Sequence, residues 1–247
     1  MSKFVRLMMR DHALLKDINC FNVMSLEQIG RRHFAKLAPS ICSERLSKLH
    51  TAGFISKQRV GTLIHHKVPK NVGTVVTLTQ KGLRVVQTKT NFAGNSRLKI
   101  LNTAELPHDL LLVEIAEKLK EKHPKMIVLT GERAGIACKT HHIVPDLIAK
   151  IDGKSWAIEL ELTAKSSTRY RKLMLDYLTS DFDKIIYVLG TTAIETKLGR
   201  ILREFSSVSE SSGRFEFSLL DEFLCDQSKL EEQKTNKTKE NVNEKCL

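Results

Sequence analysis

Hydrophobic positions along this chain follow a helical period at first, then alternate, then follow a helical period again. Phe4, Val5, Leu7, Met8, Leu14 and Leu15 predict a first helix from Phe4 to Asp17. Asn22 to Met24 reads as a break. Ser25-Leu-Glu-Gln is a capping-box pattern, with Gln28 three residues after the Ser25 cap, and it opens a second helix to about Phe34. Pro39-Ser40 starts a third helix, which runs through Arg45, Leu46 and Leu49 and ends at Gly53. Phe54 to Val60, Ile64 to Val68 and Val75 to Thr79 then predict short strands joined by turns, and Lys81 to about Thr88 predicts a further helix.

Residues 91–106 are polar and read as a linker. A helix opens at Pro107 or His108 and reaches about Lys122, with Leu111, Leu112, Ile115, Ala116 and Leu119 as its buried stripe. Met126 to Thr130 predicts a strand, and Gly131 to His142 a loop. Two apolar runs around a turn at Asp152-Gly153 predict a hairpin. Next come a helix from Lys165 to Thr179, a strand from Lys184 to Leu189, a helix from Thr192 to Phe205 and a strand from Phe215 to Leu220. The tail 225–247 has few apolar residues and reads as disordered. The expected fold class is α/β (α+β) in two domains, 1–90 and 107–224, the second built on a mixed central sheet.

Charge sharpens that division. The formal net charge is +12, yet residues 1–99 hold 18 Lys and Arg against 4 Asp and Glu, while residues 100–247 hold 22 against 24. The whole surplus lies in the first two-fifths, which points to a nucleic-acid anchor joined to a near-neutral second part. The five cysteines show no CxxC spacing, so reduced thiols in the cytoplasm are expected, without a zinc site or disulfide framework. No apolar run is long enough for a membrane span, and Arg6, Arg10 and Asp11 interrupt the N-terminal one, so neither membrane insertion nor a secretory signal is expected. No glycine loop for nucleotide phosphates is evident, so no ATP dependence is expected.

The hairpin carries the candidate chemistry. Period two puts Ala157, Glu159, Glu161 and Thr163 on one face of its second strand, beside a first strand that starts at Asp146. Three carboxylates held together repel unless a cation lies between them, and Mg²⁺ or Mn²⁺ is the expected one. Asp109, at a helix start, is either a further metal ligand or a complement to the helix dipole. Lys165, with Lys172 next, is the candidate cation near the attacked phosphate. Lys165, Arg169, Lys172 and Asp176 share one, largely basic helical face, and Tyr170, Leu173, Met174 and Tyr177 an apolar one. His108 reads as a phosphate or water contact or as a helix cap.

These motifs resemble known families. Leu49-x-x-Ala-Gly-Phe-Ile55 followed by Leu78-Thr-Gln-Lys-Gly82 resembles winged helix-turn-helix proteins. That resemblance implies a third helix in the DNA major groove and a wing on the backbone, with Arg45, Lys48, Arg59, Lys67 and Lys70 as DNA contacts beside His65 and His66. Pro145-Asp146 and Glu159-x-Glu161, in the order helix, three strands, helix, strand, resemble the PD-(D/E)xK or restriction-endonuclease-like superfamily, with Glu161 where a lysine is usual. Together with His108-Asp109-Leu110 and Lys165-Ser-Ser-Thr-Arg-Tyr170, the whole resembles MobC-type relaxases of mobilisable plasmids. That family implies metal-dependent nicking of one strand at a plasmid transfer origin, with an accessory mobilisation protein and a coupling protein as partners. Asp146, Glu159, Glu161 and Lys165 are then the expected catalytic set. Attack by metal-activated water is favoured over attack by a tyrosine, of which Tyr170 is nearest in sequence. The alternative is a non-catalytic DNA-binding regulator of plasmid replication with a degenerate nuclease fold.

Overall fold

A computed structural model of the chain describes residues 5–65, 68–90, 101–130, 134–135, 143–206 and 213–225. The expected tail from 226, most of the linker, most of the loop 131–142, Lys67, His66 and the side chains of His65 and Lys70 lie outside the described residues.

The first helix, α1, spans Met9–Phe21, later than the apolar pattern suggests. Asp11 fixes its start, because its carboxylate accepts the Met8 N–H at 2.6 Å. Asn22, at φ 66°, ends it. The residues after that break are not loop: β1 (Val23–Ser25) pairs antiparallel with Val75–Thr77. Three residues are too few to display a period, so the pattern alone hid this strand. Ser25 then caps α2 (Leu26–Phe34), with both halves of the capping box formed. The helix α3 (Pro39–Thr51) follows. The three predicted short strands are two long ones, β2 (Ile55–His65) and β3 (Val68–Leu78), in register from Ile55↔Leu78 to His65↔Val68. The helix α4 (Gln80–Thr90) closes this half.

The two phrases Leu49 to Ile55 and Leu78 to Gly82 are one structural unit. The Thr79 hydroxyl donates to the Gly53 carbonyl at 2.5 Å and accepts the Gly82 N–H at 3.2 Å, while the Thr79 N–H reaches the Phe54 carbonyl at 3.1 Å. A Cβ on Gly82 would overlap that same Phe54 carbonyl oxygen, so glycine is required by close backbone approach.

The second half is a five-stranded sheet in the order β4 (Ile127–Thr130), β5 (Leu147–Ile151), β6 (Lys154–Glu161), β7 (Lys184–Leu189), β8 (Phe215–Leu219). The first three strands are antiparallel neighbours, and β6, β7 and β8 are parallel. Parallel pairs need crossovers, and α6 (Ser167–Leu178) and α7 (Thr192–Ser206) supply them. Both pack on one sheet face, against Ile148, Ala157, Ile185 and Leu189. The helix α5 (Leu106–Lys122) covers the opposite face with Leu112, Ile115 and Leu119, and there Leu147, Ile158 and Val188 point toward it. A short α8 (Leu220–Leu224), absent from the sequence reading, follows β8.

The two halves share that second core. Leu14, Ile18 and Leu46 from the first half and Ile115, Ile158 and Val188 from the second belong to one buried cluster. Buried Gln28 donates from Nε2 to the Leu110 carbonyl and to Glu114, both at 2.8 Å. Arg31 reaches Glu114 at 2.7 Å and Glu117 at 3.0 Å. So α2 is bolted along α5, the helix whose first turn carries His108 and Asp109. Among the described residues, no helix is long and apolar enough to cross a membrane.

Candidate functional site

Pro145 and Asp146 lead into β5, whose register with β6 ends at Leu147↔Ile158, and Asp146 lies just beyond that last pair with its side chain against Glu159. At this point the Asp146 side chain takes over from the strand ladder. Its Oδ2 accepts the Leu160 N–H at 2.9 Å. The same oxygen lies 3.3 Å from His108 Nε2, and His108 Nδ1 lies 3.7 Å from Asp109 Oδ1. Burial pushes the imidazole pKa down, but the two carboxylates outweigh it and raise it to about 10. His108 is therefore an imidazolium at neutral pH, donating toward a carboxylate from each nitrogen. Burial raises the Asp146 carboxyl, yet the His108 hydrogen bond and charge, with the Leu160 N–H, hold it below the usual range.

Glu159 and Glu161 point to the α6 side of the sheet. Glu159 accepts from the Tyr177 hydroxyl, and burial followed by the charge of Asp146 pushes its carboxyl well above the ordinary value. Glu161 accepts from the Tyr170 hydroxyl at 2.7 Å through Oε2 and pairs with Lys165 Nζ through Oε1. Lys165 lies outside the helix expected to include it. Ser166 is the α6 cap, accepting the Arg169 N–H at 3.2 Å, so Lys165 belongs to the preceding loop. Its backbone is pinned on both sides: its N–H donates to Tyr170 at 3.0 Å, and its carbonyl accepts from Lys197 Nζ at 2.5 Å.

A cleft of about 590 Å³ opens at these strand ends. His108, Asp109, Asp146, Glu161 and Lys165 line it, and Thr130 of β4 and Cys20 and Asn22 of the first half close another wall. Glu159 does not line it, and neither do Arg169 and Lys172, which are exposed on α6. The expected gathering of Asp109, Asp146, Glu159 and Glu161 about one cation is, in this arrangement, a series of pairs. Among the described residues, no group of three or more His, Cys, Asp or Glu side chains is placed to hold a metal ion. The reason is local: His108, Tyr177, and Lys165 with Tyr170 each engage one carboxylate. Of the carboxylates that line the cleft, Glu105, Asp109, Asp146 and Glu161, the last two stand at the ends of the central strands. Two carboxylates fit Mg²⁺, which keeps several waters and is commonly completed by a substrate phosphate.

Of the expected DNA contacts, Lys48 and Arg59 are exposed, and Lys48 Nζ pairs with Glu44 at 2.6 Å. Arg45 is turned inward instead. Its Nε donates to Asp11 Oδ1 at 2.9 Å, and its Nη2 to the Arg6 carbonyl at 3.0 Å. The buried Asp11 carboxylate holds it, which helical periodicity on α3 alone could not show. Sequence reasoning also missed the roles of Tyr177 and Lys197. The seven-residue spacing of Tyr170 and Tyr177 was a usable signal, whereas nothing local marks Lys197.

Fold and site together define a class of α/β protein in which a strongly basic half with a three-stranded sheet closes one wall of a carboxylate-lined cleft carried by a mixed five-stranded sheet. The family model described as replication-relaxation matches residues 15–189, well over half of the chain, and the chain belongs to that family. Membership suggests a role in plasmid replication or mobilisation. No curated protein and no solved structure matches the chain.

Proposed function

We propose that this protein nicks one strand of plasmid DNA, as a relaxase that starts mobilisation, with the first half as a winged-helix anchor and the second as a restriction-endonuclease-like core. The observation that carries the reading is the cleft itself. It brings Asp146 and Glu161 together with His108 and Lys165, and with Asp109 beside them, from separate segments at the ends of the central strands. The order α5, three strands, α6, β7 supports the reading as a nuclease-like core, and three helices before a long hairpin support the reading as a winged helix.

Asp146 and Glu161 would hold Mg²⁺ or Mn²⁺, which supplies Lewis acidity toward a phosphate oxygen and lowers the pKa of a water. The chain's own contribution is electrostatic. His108 and Lys165 put positive charge where a phosphodiester would lie between the carboxylates, and Lys197 fixes the loop that carries Lys165. Tyr170 is fully buried with its hydroxyl engaged, which favours attack by water over a phosphotyrosine link. Partners on this reading are the transfer-origin DNA, an accessory mobilisation protein and a coupling protein, with the complex in the cytoplasm.

A second reading has an observation of its own. His108 and Lys165 already pair with Asp146 and Glu161, as in a site kept only for DNA binding. The deciding experiment uses supercoiled plasmid carrying its own transfer origin, with the accessory protein and either Mg²⁺ or EDTA. The nickase reading expects open circles with one mapped nick, lost in EDTA and in Asp146→Ala. Supercoiled plasmid throughout, with the footprint retained, would replace it by the binding-protein reading.

A further inference from the structure

The chain has three tyrosines, and all three converge on the two glutamates of β6. Tyr170 and Tyr177 stand seven residues apart on α6, about 10.5 Å along its axis. Glu159 and Glu161 stand two residues apart on β6, about 6.8 Å. The helix runs over the strand in the opposite sense, so Tyr170 meets Glu161 and Tyr177 meets Glu159. Tyr187, on β7, is the cross-strand neighbour of Glu159 in the sheet register. The tyrosines are 0%, 0% and 1% exposed, and the glutamates 9% and 3%.

A buried carboxylate needs donors, and the Leu160 N–H between the two glutamates is taken by Asp146. The phenol hydroxyls fill that need from rings that cannot swing away. Tyr177 is wedged against Phe182, Tyr187 and Phe215, with centroids 6.1, 6.2 and 6.4 Å apart. Tyr170 lies beneath Lys197, whose Nζ is 5.6 Å from its ring centre. Tyr187 differs in one respect: among the described residues, its buried hydroxyl has no hydrogen-bond partner.

We propose that Tyr170 and Tyr177 are positioning residues that fix the rotamers of Glu161 and Glu159. Through the facing pair Glu159 and Asp146, they also set the carboxylates at the cleft. Tyr187 packs the same chamber without a positioning role. The functional part of this rests on the nickase reading, and the structural part does not.

Three Tyr→Phe substitutions remove the same atom and carry different expectations. Tyr170→Phe and Tyr177→Phe leave a buried carboxylate short of a donor and lower Tm. Tyr187→Phe removes an unpartnered hydroxyl and leaves Tm unchanged or higher. Proton NMR of the wild type should show two slowly exchanging phenolic hydroxyl resonances, one lost in Tyr170→Phe and the other in Tyr177→Phe. In the plasmid assay, Tyr170→Phe should lower kcat roughly tenfold or more with DNA affinity unchanged, the size usual for a residue that orients a site ligand. A purely structural role would lower Tm and leave the rate of the folded enzyme alone, which overturns the positioning claim. Absence of both protected hydroxyls, or equal Tm losses in all three variants, overturns it as well. If the wild type itself does not nick, the nickase reading falls, and the NMR and Tm results alone decide whether the cage exists.

Discussion

Gly82 and Gly199 show how differently one residue type is used at two positions. Gly82 lies against the Phe54 carbonyl with no room for a methyl group, whereas Gly199, inside α7, meets nothing within 4 Å. Gly82→Ala should destabilise by about 2 kcal/mol through overpacking, and Gly199→Ala should stabilise by up to about 1 kcal/mol through helix propensity. Urea denaturation of both variants checks the opposite signs. Arg45 offers a second test. Burial raises the Asp11 carboxyl, but the Arg45 hydrogen bond, the Met8 N–H and the guanidinium charge outweigh it and hold the carboxyl below its ordinary value. A lowered native pKa stabilises above the unfolded value of about 3.9 and is lost as pH falls through the native one. Arg45→Ala should therefore cost about 3 kcal/mol near neutrality, and the difference from wild type should shrink below about pH 4. At this scale Asp146 and Glu161 were legible, because strand period and spacing alone bring them to neighbouring strand ends. The outward neighbour of Glu159 was not, since period two gives the face of a strand and not which side chains meet it from a helix.

Among elements, α6 decides whether the site is held, and its C-terminus depends on a residue far away in sequence. Arg214 donates to the carbonyls of Leu178 and Ser180 at 2.9 Å, of Phe182 at 2.5 Å and of Tyr177 at 3.2 Å. A guanidinium there satisfies end carbonyls and complements the helix dipole. Arg214→Met should lower stability by about 2 kcal/mol, and hydrogen exchange should show the loss of protection concentrated in α6. Exchange unchanged in α6 would contradict the capping role. The boundaries of α2, α5 and β7 were close to legible because caps and periodic stripes mark them. The hairpin β2–β3 was broken up by the sequence reading, because glycine and polar residues within it carry turn signals even when the strands continue through them. The cap by Arg214 leaves no local mark at all.

For the whole molecule, the notable feature is that the basic half and the cleft-bearing half bury a common core. Ile18 and Leu46 belong to the same cluster as Ile115 and Val188, and Gln28 is hydrogen-bonded into α5. Charge and composition divide the chain near residue 99. Packing does not follow that division, because a linker expected from polarity says nothing about which surfaces then meet. Calorimetry should accordingly show one cooperative unfolding transition, and Gln28→Ala should shift it as a whole. Two separated transitions would mean that the halves fold independently. This shared core also puts the basic half beside the cleft, with Cys20 and Asn22 in its wall, so on the proposed reading DNA held by the first half would have a short path to Asp146.

That DNA enters the cleft is the central claim, and a photocrosslink tests it without requiring turnover. Thr163 is exposed on the cleft rim, and a photoreactive phenylalanine analogue placed there can be irradiated with end-labelled transfer-origin DNA. The expected result is a crosslink to nucleotides flanking one position of the origin, competed by unlabelled origin DNA. A crosslink from the same analogue at exposed Lys48, with none from Thr163, would contradict it and leave the protein a DNA-binding member of its family whose cleft meets no DNA.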